Sequence, residues 1–204
     1  MGALIRWLAT LALALIAGVG SALWLAGWTP LDPPGLFRSI EVNRWTSDPA
    51  IGSETADPYT RAYVARRGLL GLRREEATYY LRAVDDEGAA LRADCAYVIE
   101  GAVPDARWWS VTLYAGDYFL AQNGDDAHSI DASRAVIGAD GRWRATLQAS
   151  DPGDGSFWIS SRNAGEFDLL YRLYNASDAV LETPETALVT PDIIRLGCRG
   201  EDAT

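Results

Sequence analysis

The residues best able to bind another molecule are one arginine and five aromatic residues in three segments of the chain. They are Trp108, Trp109, Tyr114, Trp158, Arg172 and Tyr174. A guanidinium is a planar fork of donors that matches carboxylates. Indole and phenol rings add a broad apolar surface with one polar atom. Such a group is typical of a surface that binds a sugar, a peptide or a partner domain.

Two arrangements of these side chains are open. Strand alternation places Trp109 on one face and Trp108 and Tyr114 on the other, and it separates Arg172 in the same way from Tyr171. In one arrangement, the second face is an open sheet surface that presents the aromatic rings and Arg172. In the other, the rings fill a core, as large aromatic residues commonly do, and Arg172 pairs with a carboxylate.

Catalytic groups are scarce in this sequence. All 18 basic residues are arginines, and His128 is the one histidine. These absences exclude a Schiff-base lysine, a Gly-Lys-Ser/Thr phosphate loop and a metal site built from several imidazoles. A Ser-His-Asp triad would need His128, but no Gly-x-Ser-x-Gly motif is present. We therefore predict no catalytic residue, no cofactor and no metal ligand, and we interpret His128 as a loop residue.

Acidic residues define the charge of the chain, with 28 carboxylates and a net charge of −10. This charge argues against binding to nucleic acid or docking on anionic lipid. Two acidic loops, 123–126 and 151–155, carry oxygen atoms that suit calcium, but neither has the spacing of an EF-hand. We interpret both as solvated turns.

Residues 7–28 form an apolar run of 22 residues without a charge. As a helix the run spans about 33 Å, close to the ~30 Å hydrocarbon core of a bilayer. Because Arg6 lies on its N-terminal side, we predict a single-pass inner-membrane protein with a cytoplasmic N-terminus and a periplasmic C-terminal domain. The alternative is a secretory signal peptide that is cleaved near residues 20–22.

Small residues recur every four positions along this apolar run. They are Thr10, Ala14, Gly18, Ala22 and Ala26. Such a stripe lets two membrane helices approach closely. It is a hint that Ala14, Gly18, Ala22 and Ala26 mediate helix pairing.

The rest of the chain is long enough for one domain. We predict an anchor with a short cytoplasmic tip over 1–28, a linker over 29–52 that has three prolines between residues 30 and 34, and a domain over 53–204. Asp57 followed by Pro58 predicts the start of a short helix over 59–67, which Gly68 ends. It is the one soluble helix that we predict.

From residue 77 onward, turn residues separate short segments that are alternating or β-branched. The predicted strands cover 77–84, 91–100, 108–114, 118–122, 135–137, 143–147, 157–160, 168–174 and 192–196. This spacing predicts an all-β fold, an antiparallel β-sandwich or jelly roll.

Cys95 and Cys198 both follow the predicted anchor. In an oxidising periplasm, two cysteines of an exported chain favour a disulfide, here one that closes a loop of about 100 residues. The alternative is a pair of buried thiols that act as small apolar side chains.

Three motifs occur in a characteristic order: Ala-Asp-Pro-Tyr at 56–59, Arg-Trp-Trp-Ser-Val-Thr-Leu-Tyr at 107–114, and Phe-Asp-Leu-Leu-Tyr-Arg-Leu-Tyr at 167–174. Over residues 53–198 the chain resembles the bacterial family called domain of unknown function 1214. The resemblance implies a jelly-roll-like β-sandwich and a companion, domain of unknown function 1254, that is often fused to it or encoded beside it. It supplies no catalytic residue.

One motif departs from that family. Where members show Asn-Trp-Leu-Pro, this chain has Phe-Trp-Ile-Ser at 157–160, which keeps Trp158 alone.

The sequence favours a membrane-anchored binding or assembly module that docks a companion envelope protein. The alternative function is a hydrolase or ligand-binding protein that acts on envelope glycan or lipid.

Overall fold

The computed structural model describes residues 2–26, 40–66 and 72–200. Helix α1 (Gly2–Leu25) opens the chain, and none of its residues is buried. It is long and apolar enough to cross a bilayer, a property that it shares with secretory leader sequences. Trp28 and the three prolines between residues 30 and 34 lie outside the described residues.

The rest of the described chain contains ten strands and three further helices, joined by turns and loops. The strands are β1 (Ile40–Val42), β2 (Trp45–Ser47), β3 (Ala77–Arg82), β4 (Cys95–Ala102), β5 (Ala106–Ala115), β6 (Ser129–Asp131), β7 (Arg142–Gln148), β8 (Trp158–Ser160), β9 (Phe167–Ala176) and β10 (Asp192–Cys198). The helices are α2 (Pro58–Arg66), α3 (Asp178–Glu182) and α4 (Pro184–Ala187).

The strands form two sheets. One has six antiparallel strands in the order β1-β2-β3-β9-β5-β6, and the other has four in the order β10-β4-β7-β8. The predicted all-β class is confirmed, with one departure from antiparallel pairing because β7 and β8 run parallel. The jelly-roll connectivity stays a prediction.

The inner faces of the two sheets pack against each other. Trp109 of the six-stranded sheet stacks on Trp143 of the four-stranded sheet with 4.7 Å between ring centroids. Tyr97 and Phe167 make an edge-on contact at 6.2 Å. Every second residue of β4 is buried, as expected for a strand with one face in the core. This apolar interior fixes which side chains face outward.

Two strands lie within the segment that we predict as a linker. Strands β1 and β2 pair with each other, and Thr46 of β2 pairs with Leu81 of β3. From Ile40 onward the segment is therefore part of the six-stranded sheet. Each strand has only three residues, which is too short for alternation to be visible in the sequence.

Other predictions of local structure differ from the structure. The predicted strand 135–137 is reduced to a single bridge between Ile137 and Trp143. Residues 118–122 form no strand, because Tyr118 has a positive φ of 69° and the chain turns there. Strand β6 was not predicted. Helices α3 and α4 add to the one predicted soluble helix, and with five and four residues they are too short to show a helical period.

The predicted cap and the predicted disulfide are both present. Asp57 Oδ1 accepts a hydrogen bond from the Tyr59 backbone N–H at 2.8 Å, and α2 begins at Pro58. Arg67 and Gly68, where we predict the helix to end, lie outside the described residues. Cys95 and Cys198 are bonded across the β4–β10 pair, so the last strand of the chain is covalently joined to the middle of the four-stranded sheet.

Candidate functional site

The register of β5 and β9 brings most of the candidate residues together. Trp108 pairs with Tyr174, Ser110 with Arg172, and Tyr114 with Asp168. Their neighbours Trp109, Val111 and Leu113 are buried against the other sheet. Trp108, Tyr114, Arg172 and Tyr174 therefore lie on the outer face of the six-stranded sheet, where they are half-buried and where Ser110 beside them is buried.

Arg172 is held by hydroxyl groups. Its Nη1 donates to Thr112 Oγ1 at 3.0 Å, and its Nη2 donates to the Tyr114 hydroxyl at 2.5 Å. The guanidinium carbon also lies 5.5 Å from the centroid of the Tyr114 ring. Among the described residues Arg172 forms no ion pair with a carboxylate, contrary to the second arrangement. The side chain is half-buried, and both of its hydrogen-bond partners are neutral.

Trp108 and Tyr174 form an aromatic pair beside this arginine. Their ring centroids are 5.3 Å apart in an edge-on contact, and both residues are half-buried. The Trp108 indole N–H donates to Ser133 Oγ at 3.1 Å, which fixes the plane of the ring. We call Trp108, Thr112, Tyr114, Arg172 and Tyr174 the Arg172 cluster.

One side of the Arg172 cluster is closed by Tyr79. This residue pairs with Arg172 across β3 and β9 and is buried. Burial raises the pKa of the Tyr79 hydroxyl, and the positive charge of Arg172 offsets part of that rise. Tyr79 belongs to a small apolar cluster on the outer face that Ile51 and Leu72 cover. Tyr114 and Tyr174 pack against the same apolar group, so the Arg172 cluster is covered on the side of β3.

Trp158 lies elsewhere, on the outer face of the four-stranded sheet. It pairs in register with Thr146, while the next residue, Ile159, points into the core. Its indole N–H donates to the carbonyl oxygen of Gln148 at 2.9 Å. The structure therefore separates Trp158 from the other four candidate residues, and its predicted binding role would belong to a different surface.

Arginines on that second outer face are paired with acids. Arg142 contacts Glu100 at 3.3 Å and Asp192 at 2.6 Å. Arg144 contacts Glu100 at 2.7 Å and Asp140 at 2.5 Å. The hydrogen bond from Arg144 lowers the pKa of Asp140 to about 2. On this face, both arginines are therefore paired with carboxylates of the protein itself.

His128 does not take part in a catalytic arrangement among the described residues. Its Nδ1 is buried without a hydrogen-bond partner. The nearby Ser160 hydroxyl donates to Asp125 Oδ2 at 2.6 Å, and Arg162 forms an ion pair with the same carboxylate. These contacts join the segment of Asp125 to that of Ser160 and Arg162. The Asp125 carboxylate, which a catalytic triad or a bound cation would need, is therefore already paired.

The second acidic loop is a pair of turns. Asp151 accepts a hydrogen bond from the Gly153 N–H, and Asp154 accepts one from the Ser156 N–H, each at 2.8 Å. The part of the chain that the structure describes holds no group of three or more His, Cys, Asp or Glu residues that could bind a metal ion.

Sequence reasoning missed two members of this neighbourhood. Alternation along β5 places Thr112 on the same face as Tyr114, so its role as a partner was within reach of the sequence. Tyr79 gave no comparable signal, because the pairing of β3 with β9 joins residues that are distant in the chain.

Structural comparison finds a related fold in a longer protein. The VPA0106 protein from Vibrio parahaemolyticus is 26% identical, with a TM-score of 0.57 over 70% of this chain and 36% of that chain. A second match, an uncharacterized protein from Burkholderia cenocepacia, is 19% identical, with a TM-score of 0.43 over 58% of this chain and 30% of that one. The chain thus spans about a third of each solved structure. A search of curated proteins found no match.

Residues 76–178, which include β3 to β9, match the model of a protein family described as protein of unknown function. This region is half of the chain and contains every residue of the Arg172 cluster. The chain belongs to the DUF1214 family.

Proposed function

We propose that this chain is a membrane-anchored periplasmic domain that docks a companion envelope protein through the outer face of its six-stranded sheet. The observation that carries the proposal is the Arg172 cluster, a half-buried arginine without a carboxylate partner among the described residues, beside a half-buried aromatic pair. Arginine and large aromatic residues are the side chains that contribute most to the binding energy of protein interfaces.

Three features support the proposed location. Helix α1 is apolar and has no buried residue, as an anchor requires. Arg6 lies near its N-terminal end, which favours a cytoplasmic N-terminus. The Cys95–Cys198 disulfide is typical of an oxidising compartment, so the β-domain would face the periplasm.

The length of the solved relative supports a companion. In the VPA0106 protein the matched region is 36% of the chain, so most of that polypeptide lies outside the match. A domain of this fold therefore occurs beside further sequence in that protein, and a companion would offer this chain a comparable contact. We propose that this companion carries domain of unknown function 1254.

One observation favours a second function, the binding of a small envelope ligand. The Trp108–Tyr174 pair is a rigid aromatic surface next to a cation, and such surfaces also bind sugars with charged groups. A hydrolase is less well supported, because the described residues around the cluster include no paired carboxylates or activated nucleophile.

The docking proposal is tested by affinity purification of the full-length protein from detergent-solubilised native membranes, followed by quantitative mass spectrometry. We expect a companion in a fixed molar ratio with the wild-type protein and with Trp158→Ala, and loss of that companion with Trp108→Ala. Both tryptophans are half-buried on outer faces, so each substitution is a control for the other.

Two results would contradict the proposal. The absence of any protein in fixed ratio excludes docking, and loss of the companion with Trp158→Ala alone transfers the interface to the four-stranded sheet. The intact mass of the purified protein tests the anchor, because cleavage near residues 20–22 removes the corresponding mass and an uncleaved anchor keeps it.

A further inference from the structure

We propose that Arg172 is the centre of a binding site for a carboxylate that carries a ring or another flat apolar group. The carboxylate occupies the free edge of the guanidinium, and the attached group lies against Trp108 and Tyr174. This inference rests on the proposed function and deepens it, because it names the chemistry that the outer face of the six-stranded sheet recognises.

The first argument is the hydrogen bonding of Arg172. A guanidinium has five N–H donors, and two hydrogen bonds are formed, to Thr112 Oγ1 and to the Tyr114 hydroxyl. The other donors have no acceptor among the described residues. A half-buried cation with neutral partners is incompletely compensated, and a carboxylate is the group that the guanidinium fork fits in a bidentate manner.

The second argument comes from the other described arginines that are buried or half-buried, because three of these four have an acidic partner. The exception is Arg74, which donates to the carbonyl oxygen of Leu181. Arg82 is fully buried and contacts Asp86 at 2.6 Å. Arg142 contacts Asp192, also at 2.6 Å, and Arg195 contacts Glu87 at 3.0 Å. Each of these three has an acid within the protein, whereas Arg172 has hydroxyl groups in that position. An external anion would give Arg172 the partner that these arginines have internally.

The third argument concerns the type of anion. The chain has a net charge of −10, which opposes the approach of a multiply charged ligand such as a phosphate dianion more than that of a single carboxylate. The aromatic pair of Trp108 and Tyr174 lies two residues along the strands from the Ser110–Arg172 pair, on the same face, so a ring attached to the carboxylate meets apolar surface. Both features favour a monocarboxylate with a flat body.

The test uses full-length protein in nonionic detergent micelles and 4-fluorobenzoate as the probe. Fluorine NMR relaxation of the probe reports binding directly, and empty micelles give the background. We expect the wild-type protein to bind with a Kd of roughly 1–10 mM, a range usual for a ligand of this size. The neutral analogue 4-fluorobenzamide should show no binding above the micelle background.

Variants then locate the site. We expect Arg172→Gln to weaken binding at least tenfold and Arg172→Lys to weaken it about threefold, because lysine keeps the charge and loses the planar fork. Arg107→Gln is the matched control, since Arg107 is exposed, lies next to Trp108 in sequence and carries the same charge. This control should bind as the wild-type protein does, and near-ultraviolet circular dichroism verifies that each variant is folded.

Several results would overturn the proposal. They are no binding by the wild-type protein, equal binding by Arg172→Gln, or equal binding of the benzamide. If Arg107→Gln lowered the affinity for 4-fluorobenzoate as much as Arg172→Gln does, the binding would be explained by general electrostatic attraction. Full affinity of Arg172→Lys would overturn the bidentate contact.

The natural carboxylate is identified by competition with the bound probe. Displacement by a short peptide that ends in Glu-Phe points to a protein side chain, and displacement by glucuronate points to an acidic sugar. The outcome is separable from docking. A protein that binds 4-fluorobenzoate at Arg172 and purifies alone supports the carboxylate site and contradicts the companion, and the reverse pattern supports the companion and contradicts the site.

Discussion

The two outer faces of this sandwich carry the same kinds of side chain and arrange them differently. On the four-stranded sheet, Arg142 and Arg144 each contact two carboxylates. On the six-stranded sheet, Arg172 contacts the hydroxyl groups of Thr112 and Tyr114. The first face satisfies its charges internally, whereas the second leaves a cation to be satisfied from outside.

This difference indicates which outer face is the better candidate for a binding surface. A tryptophan and an arginine are present on both faces, so residue type alone does not separate them. The two faces differ in the partner of each arginine. A surface whose arginines already pair with carboxylates gains little binding free energy from an added anion.

The largest effect is expected for two adjacent tryptophans of β5 that face opposite ways. Trp109→Ala should lower the free energy of unfolding by about 3–5 kcal/mol, because it removes a buried ring stacked on Trp143. Trp108→Ala should cost about 1 kcal/mol, because the ring is half-buried and loses one aromatic contact. Urea unfolding measures both values. Equal losses would show that Trp108 is a core residue.

Removal of the disulfide should have the next largest effect. Replacement of Cys95 and Cys198 by serine should cost about 2–4 kcal/mol, because the unfolded chain regains the entropy of a long loop. In the wild-type protein a reductant should lower the melting temperature, and in the double variant it should have no effect. An unchanged melting temperature of the wild-type protein after full reduction would contradict this prediction.

Removal of one arginine from each face contrasts the two directly. Arg142→Gln should lower the free energy of unfolding by about 1 kcal/mol, since two acids lose a partner. Arg172→Gln should change it by less than about 0.5 kcal/mol, because burial of an uncompensated charge offsets the lost hydrogen bonds. A larger loss for Arg172→Gln than for Arg142→Gln would mean that Arg172 is a structural residue.

The smallest effect concerns acid stability of the charged network. Arg144 lowers the pKa of Asp140 from 3.8 to about 2 in the folded state, so this carboxylate favours folding above pH 4 and loses its contribution as the pH falls toward 2. Asp140→Asn should flatten the decrease in stability over that interval and leave stability below pH 2 unchanged. Melting temperatures measured from pH 2 to 6 test this, and an unaltered pH profile would contradict it.

The sequence predicted the faces of individual strands better than their neighbours. Alternation along β5 correctly separated the inward Trp109 from the outward Trp108, because a period of two is a local property of the chain. The cysteine pair and the aspartate cap at the start of α2 were also predictable, since each depends on chemistry carried by two or three residues.

Pairing between strands was not predictable in the same way. Trp158 was grouped with Arg172 because both lie on β-like segments with aromatic residues, but they belong to different sheets. Which sheet a strand joins depends on contacts between distant parts of the chain. The partners of Arg172 follow from the register of β9 against β5, and no local pattern in either strand specifies that register.

The position of β9 in the six-stranded sheet also has a consequence for the order of events during folding. This strand is next to last among the described strands, yet it lies between β3 and β5, and Ala77 pairs with Tyr174. Until β9 has left the ribosome or crossed the membrane, β3 and β5 have no shared partner and their edges are open to other chains. Pairing over such sequence distances predicts folding in milliseconds to seconds rather than microseconds. The newly made domain would depend on protection of its edges until almost the whole chain is available.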